Sequence, residues 1–423
     1  MEKRDMMMGE FRFVILILCV YLCSIRFIHG QNVLSRRAIT STLLDPSKYD
    51  SNIVPDFDEE YPTNVTIQIT IHDMHSISET TMEYSVDVYL RMWWRDERLD
   101  FSGLSNISKL ELDSKSLGNV WQPDIFFENE KRATVHSVTT TNKLVHILRN
   151  GTVVYSIRLS LALSCTMLLQ YYPFDSQRCP LIIQSFGYTQ DNINLDWYKI
   201  SPVSAENLEM PQFELAEDDI TTSDYSSPYS QTGTFSTLKA ELHLTRKVGF
   251  YFLQVFVPAV LLVVLSWVSF WVDPNAVPAR VSLGVTCVLT MTTQSAGIRQ
   301  SLPPVSYVKA IDVWMFVCLL FVFAALLEFA YVNVLLRRKA PVSHEAYELR
   351  KTDGEDTKNE KDEVKGRGAK ILEFIRSPAP DAKTKAKRVD IVSRFLFPIS
   401  FILFLIIFFM VCGLAKHPPP DDD

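Results

Sequence analysis

Four apolar stretches in the second half of this chain, at residues 249 to 272, 278 to 301, 308 to 335 and 391 to 414, are each long enough to cross about 30 Å of hydrocarbon, and they confine the fold more than any other feature. The second of them is unlike the rest. From Val277-Pro278-Ala279-Arg280 to Gln294 it carries Ser282, Thr286, Leu289 and Thr293 three or four residues apart, hence on one helical face, while Val281, Leu283, Val285, Val288 and Met291 occupy the others. A face rich in hydroxyls does not suit lipid; it suits a helix lining a water-filled path. The chain reads as part of a pore, not as a soluble enzyme.

The 423 residues divide into a polar half and an apolar half. Residues 1 to 30 combine Lys3 and Arg4, an apolar run from Phe13 to Cys23 and the small Gly30, the pattern of a secretory leader. Arg337, Arg338 and Lys339 follow the third span and Lys383, Lys385, Lys387 and Arg388 precede the fourth, so the segment between them is expected in the cytoplasm and both mature termini outside. Cys165 and Cys179 are then the cysteine pair left in the oxidising compartment, since Cys19 and Cys23 fall in the leader and Cys287, Cys318 and Cys412 in spans; one disulfide is expected. Asn64, Asn106 and Asn150 stand in glycosylation sequons on the same side. The formal net charge of -7 is modest and spread out, which gives no reason to expect nucleic acid as a partner.

Between residues 60 and 247 the period is that of strands. Val65, Ile67, Ile69 and Ile71 alternate with polar residues, as do Tyr155, Ile157, Leu159, Leu161 and Leu163, and Arg149-Asn150-Gly151-Thr152 between two such runs predicts a hairpin turn. Many short strands with one disulfide imply an immunoglobulin-like β-sandwich of roughly two hundred residues. A short helix near Pro46 to Tyr49 is compatible with the pattern. In the strand Tyr84 to Trp93, Val86, Val88 and Leu90 point one way, which places Tyr89 and Arg91 on the polar face. An Arg beside an aromatic ring suits an amino-acid ligand, with the guanidinium gripping a carboxylate and rings receiving an ammonium. A surface Arg on a solvated sheet has the same spacing.

Cys165-Thr166-Met167 through Tyr172-Pro173-Phe174-Asp175-Ser176-Gln177-Arg178-Cys179, with thirteen residues between the cysteines, resembles the signature loop of the Cys-loop pentameric ligand-gated ion channels. Pro278-Ala279-Arg280 and Thr290-Met291-Thr292-Thr293-Gln294-Ser295 are similar to the anion-selective branch, glycine receptors and invertebrate glutamate-gated chloride channels in particular. The resemblance runs from about residue 44 to 336 and resumes at the fourth span. It implies a homo- or hetero-pentamer in the plasma membrane, postsynaptic, opened by a small amino-acid neurotransmitter, glycine or glutamate, bound between subunits. One face of that site would offer Tyr89, Arg91 and Ser156; the other would offer Ser185, Phe186, Tyr188, Tyr229, Thr232 and Phe235. Three positions depart from the pattern: Gln184 replaces an acid, Thr237 stands where a second disulfide would have a cysteine, and His75 stands where glutamate-gated channels carry a second Arg.

The same resemblance implies that Phe174, Asp175, Arg246 and Lys309 couple agonist binding to the pore, with Asp175 and Arg246 paired. Ion choice follows from charge. The inner mouth, Val277-Pro278-Ala279-Arg280, carries no acid, so chloride is the expected ion, with Pro278 and Ala279 at the constriction and Arg280 behind the wall adding positive potential. Leu289 is the expected hydrophobic gate, alongside Ser282, Thr286 and Thr293. The domain plan is then a leader at 1 to 30, an extracellular sandwich at 31 to 247, three helices within 248 to 336, a largely disordered cytoplasmic segment at 337 to 390, a fourth helix at 391 to 414 and an outer tail at 415 to 423. The alternatives are an anion channel gated by protons or another amine, and a partner subunit that binds no agonist. No metal-ligand cluster, nucleophile motif or Gly-rich phosphate loop occurs in the sequence, so neither enzyme chemistry nor a cofactor is expected.

Overall fold

The computed structural model describes residues 35–205, 208–215, 217–229, 232–337 and 380–415. The leader, most of the cytoplasmic segment and residues 416–423 lie outside the described residues.

A helix, α1 (Arg36–Leu43), opens the described chain, with the Ser35 hydroxyl accepting from the amide of Ala38 as its cap. The stretch at 45 to 49, where a helix was compatible with the sequence, is a turn closed on the carbonyl of Asp45. Thirteen strands follow. The larger sheet runs β10 (Val203–Ser204), β1 (Thr63–Ser78), β2 (Glu83–Asp100), β7 (Asn150–Ser164), β6 (Lys143–Leu148), β3 (Lys109–Leu112), with β5 (Glu130–Val135) on β7 and β9 (Ile193–Trp197) on β1. The smaller runs β11 (Phe213–Glu214), β13 (Gly233–Arg246), β8 (Ser176–Ser185), β4 (Ile125–Phe127), with β12 (Ile220–Tyr229) on β13. The alternating runs read from the sequence supply the inner faces: Val65, Ile67, Ile69, Ile71, Val86, Val88 and Leu90 meet Leu181, Ile183, Leu238, Ala240 and Leu242 in one core. Each such side chain contributes about 1.5 to 3 kcal/mol by leaving water. A one-residue slip of β2 would drive Tyr89 and Arg91 into that core, so burial fixes the register and, with it, the polar face.

The β6–β7 hairpin turns at Gly151, whose φ of 79° and close approach to the Asp96 carbonyl exclude a side chain. The disulfide Cys165–Cys179 forms as expected and ties the segment after β7 to β8, one sheet to the other.

Among the described residues four helices are long and apolar enough to cross a membrane: α2 (Gly249–Phe270), α3 (Val277–Gln300), α4 (Ala310–Arg337) and α5 (Pro380–Ala415). In α2 a π-helical turn, Phe252–Phe256, precedes Pro258, whose missing N–H interrupts the regular ladder. The Gln294 side chain of α3 bonds the carbonyl of Val255 in that turn at 3.1 Å, joining the two helices through backbone that the irregularity makes accessible. Gly284 of α3 lies so close to Leu326 of α4 that a Cβ would stand 2.6 Å from its Cδ1. The fourth helix begins earlier than residue 391. Its first turns are polar, but Ala386 packs against Val332 and Leu335 of α4, and this contact extends the helix toward the basic residues that sequence reading placed in a loop.

Candidate functional site

Strand alternation builds the first candidate face. Tyr89 and Arg91 project from β2 on the side opposite the core, with Ser156 directly across from Arg91 and Arg158 across from Tyr89 on β7. On the other side β1 contributes Gln68 opposite Arg91 and Thr70 opposite Tyr89. The Arg91 guanidinium donates to Thr70 Oγ1 at 2.8 Å and more weakly to Gln68 Oε1 at 3.4 Å, and lies 6.0 Å from the Tyr89 ring centre. No carboxylate pairs with it among the described residues. Arg158 lies 5.9 Å from the centre of the same ring, and it has an acid, Asp87, at 3.7 Å. Asp87 also accepts from Ser160, whose oxygen is 2.7 Å from Nε2 of His136.

His75 is exposed beside Asp73 near the far end of β1, past a register shift between Ile71 and Asp73. The imidazole beside the Tyr89 ring belongs to His72, at 6.0 Å. His72 shares the outer face of β1 with Gln68 and Thr70 by plain alternation.

The second candidate face is carried by the smaller sheet. Phe186 is 74% exposed and meets Phe126 edge-on at 5.5 Å; Tyr229, on the hairpin β12–β13, meets Phe235 at 5.7 Å. Thr232 is exposed beyond Tyr229, its amide bonded to the Tyr229 carbonyl. Tyr188 is turned inward against Trp121. Ser185 departs from expectation: its hydroxyl is buried and committed to the Tyr188 carbonyl at 2.9 Å and to Asp124 at 3.2 Å, so it braces the loop and offers no group to a ligand. Phe235 is likewise mostly buried and acts as the floor under Tyr229. Asp124 is the anchor of this loop, accepting from the Gly187 amide at 2.6 Å; burial raises its carboxyl pKa despite these donors.

Gln184 and Thr237, the two departures on this side, bond to each other. Gln184 Nε2 donates to Thr237 Oγ1 at 3.1 Å, Ser227 meets the same oxygen at 2.9 Å, and the Tyr229 hydroxyl reaches Gln184 Oε1 at 3.4 Å. A polar network thus ties the hairpin to β8 at the position where the family pattern would have a second disulfide. No bond or ring contact links the two faces within one chain among the described residues, which fits a site assembled head-to-tail between copies.

At the membrane end, Arg246 of β13 pairs with Asp175 at 2.7 and 3.0 Å, and also with Glu79, at 2.5 Å, a partner that sequence reading missed. Burial opposes its charge, and Asp175 with Glu79 outweighs that, raising its pKa above the ordinary value. Phe174 inserts its ring among Phe256 of α2 and Phe408 and Phe409 of α5. The amides of Ala310 and Ile311 bond carbonyls of Gln170 and Tyr172, seating the disulfide loop on the start of α4, where buried Lys309 meets Asp312 at 3.3 Å.

Along α3, Arg280, Gly284, Cys287 and Met291 are buried on one face. Pro278, Ala279, Ser282, Thr286, Leu289 and Thr293 are exposed on the opposite one, the row read from the sequence. Arg280 is behind that row as expected, but Asp390 of α5 pairs with it at 3.0 Å, so its charge is cancelled instead of adding to the potential of the wall.

Residues 36–248 match the family model for the neurotransmitter-gated ion-channel ligand binding domain, and residues 255–371 match that for the neurotransmitter-gated ion-channel transmembrane region. The chain belongs to the neurotransmitter-gated ion-channel (Cys-loop) family. Its members are pentameric ligand-gated channels and not enzymes, so a Cys-loop subunit has work for both features assembled above: an exposed binding face on the sandwich and a helix with one polar side. The geometry therefore describes what this Cys-loop chain offers a ligand and an ion. One face holds a guanidinium with neutral partners, the other a set of rings, and the exposed row of α3 holds hydroxyls around a single leucine.

Proposed function

We propose that this chain is a subunit of a chloride-selective channel of the plasma membrane, postsynaptic, opened by glycine or glutamate bound between neighbouring subunits. The observation that carries the reading is Arg91: a half-buried guanidinium on a polar strand face, held by two neutral oxygens beside a tyrosine ring, with no acid of its own. A carboxylate is the partner such a group lacks. Phe186 and Tyr229 across the subunit boundary supply ring faces for the ammonium. Chloride selectivity rests on the absence of any acid from Val277 to Gln300. The termini are extracellular in this reading, and Asn64, Asn106 and Asn150, all exposed, carry glycans.

Opening begins at the rings and Arg91. Agonist that binds more tightly in the closed-hairpin arrangement shifts the population toward it. The shift passes through Arg246, Asp175 and Phe174 to the start of α4 through Lys309, and from there to Leu289, where a ring of five leucines excludes water when closed. The test expresses the chain alone in oocytes, applies glycine, glutamate, GABA, histamine and acid in turn, and reads current under two chloride gradients. A current that reverses with chloride supports the reading; one that ignores chloride removes it. Ala279→Glu places an acid at the inner mouth and moves the reversal potential away from that of chloride.

A second reading has its own support. Gln184 is buried with both ends of its amide engaged, so the position where the resemblance places an acid for the ammonium holds a committed amide instead. A subunit that supplies the Arg91 face to a neighbour and binds poorly on its other face would be silent alone and active in a heteropentamer.

A further inference from the structure

Three helices meet at a buried charge cluster behind the inner end of α3. Arg280 donates from Nη1 and Nη2 to the two carboxylate oxygens of Asp390 at 3.2 and 3.0 Å, and its remaining donors go to the carbonyl of Val272. Neither side chain meets solvent to any useful extent. A second acid, Glu328 of α4, lies against Asp390, Arg280 and Ser393. Both of its carboxyl oxygens are buried and without a hydrogen-bond partner among the described residues.

One guanidinium thus faces two carboxyl groups between apolar helices. Ionising both would leave a net negative charge buried there, and ionising neither would leave the guanidinium bare; a low-dielectric site resists either state. Two neighbouring charges are occupied elsewhere. Arg394 of α5 donates to the Phe270 carbonyl and stacks on Trp271, and Asp273 of the α2–α3 connection is exposed and bonded to Asn275. The pairing with Asp390 accounts for Arg280, yet it gives the Glu328 carboxyl no task.

We infer that Asp390 and Glu328 together serve as one shared counter-ion to Arg280. The shared counter-ion locks the inner end of the pore helix to the third and fourth spans and keeps Arg280 from charging the wall. Glu328 is the reserve: when Asp390 cannot be the anion, Glu328 is. This holds for a channel of either ion selectivity and does not depend on the agonist.

The test compares Glu328→Gln, Asp390→Asn and the double variant of the full chain in oocytes, by surface protein first and single-channel conductance second. Each single amide leaves one acid able to ionise, so surface protein stays within about twofold of the unmodified chain. The double variant strands five guanidinium groups per pentamer and lowers surface protein by about tenfold or more, beyond the product of the single effects. Adding Arg280→Gln to the double variant removes the stranded charge and restores surface protein. Three results each overturn the inference: Asp390→Asn alone as damaging as the double variant, single effects that simply multiply, or a lost double variant that Arg280→Gln fails to rescue. Surface protein is read without agonist, so failure here is separable from failure of the chloride or amino-acid reading.

Discussion

Arg91 in the sandwich and Arg246 at the membrane junction are the same side chain in opposite situations. Arg246 is buried, held by Asp175 and Glu79, and stacked on Tyr172 and Phe213 at 4.7 and 4.4 Å. Arg91 is half-buried, held by a hydroxyl and an amide, and has no acid. A guanidinium whose charge is satisfied inside the chain is part of the architecture; one left without an acid is what the proposed agonist site requires. The difference is invisible in residue type and lies wholly in the partners.

The comparison breaks most readily at Arg246. Arg246→Ala leaves Asp175 and Glu79 buried without a cation and destabilises the subunit by about 3 to 5 kcal/mol, so surface labelling should fall to near background. Normal surface protein would mean that the junction tolerates open charge, and the contrast would lose its basis. Arg91→Ala should do the reverse, leaving surface protein unchanged and raising the half-maximal agonist concentration by about a hundredfold through loss of a bidentate charged contact. An unchanged dose–response curve would return Arg91 to the status of a solvated surface group.

Smaller effects sharpen the contrast on the ring-bearing face. Asp124→Ala frees the loop that presents Phe186, and the half-maximal concentration should rise by about tenfold, the equivalent of one lost charged hydrogen bond. Tyr229→Phe keeps the ring and removes only the hydroxyl that reaches Gln184, so a shift of about threefold is expected. If Tyr229→Phe proved as severe as Asp124→Ala, the polar network around Gln184 and Thr237 would be the main closure device of the hairpin. Reducing agent has no second disulfide to open there, and the dose–response curve of surface-expressed channels should change little on mild reduction beyond what Cys165–Cys179 contributes.

Much of the first binding face was legible from alternation, because burial of Val86, Val88 and Leu90 forces Tyr89 and Arg91 outward. The same parity on β1 would have named Gln68 and Thr70 as neighbours of Arg91, and on β7 it would have named Arg158. The second face was less legible. The resemblance implied Ser185 as a ligand contact, and only the fold reveals that its hydroxyl bonds Asp124 and the Tyr188 carbonyl. His72, two residues past Thr70 on the same face of β1, lies beside Tyr89, and the register shift beyond Ile71 leaves His75 exposed beside Asp73.

By itself the sequence determined what depends on period and length: a sandwich from strands of alternating residues, four apolar helices, one of them with hydroxyls along a single side, and one disulfide. Local periodicity carries that information because burying one face of a strand or helix is decided by the order of neighbours in the chain. The tertiary structure decided which charges are satisfied. Arg280 meets Asp390 110 residues away, Arg246 meets Glu79 across 167, and no local pattern records such a pairing, because it exists only once the elements that carry the partners have packed.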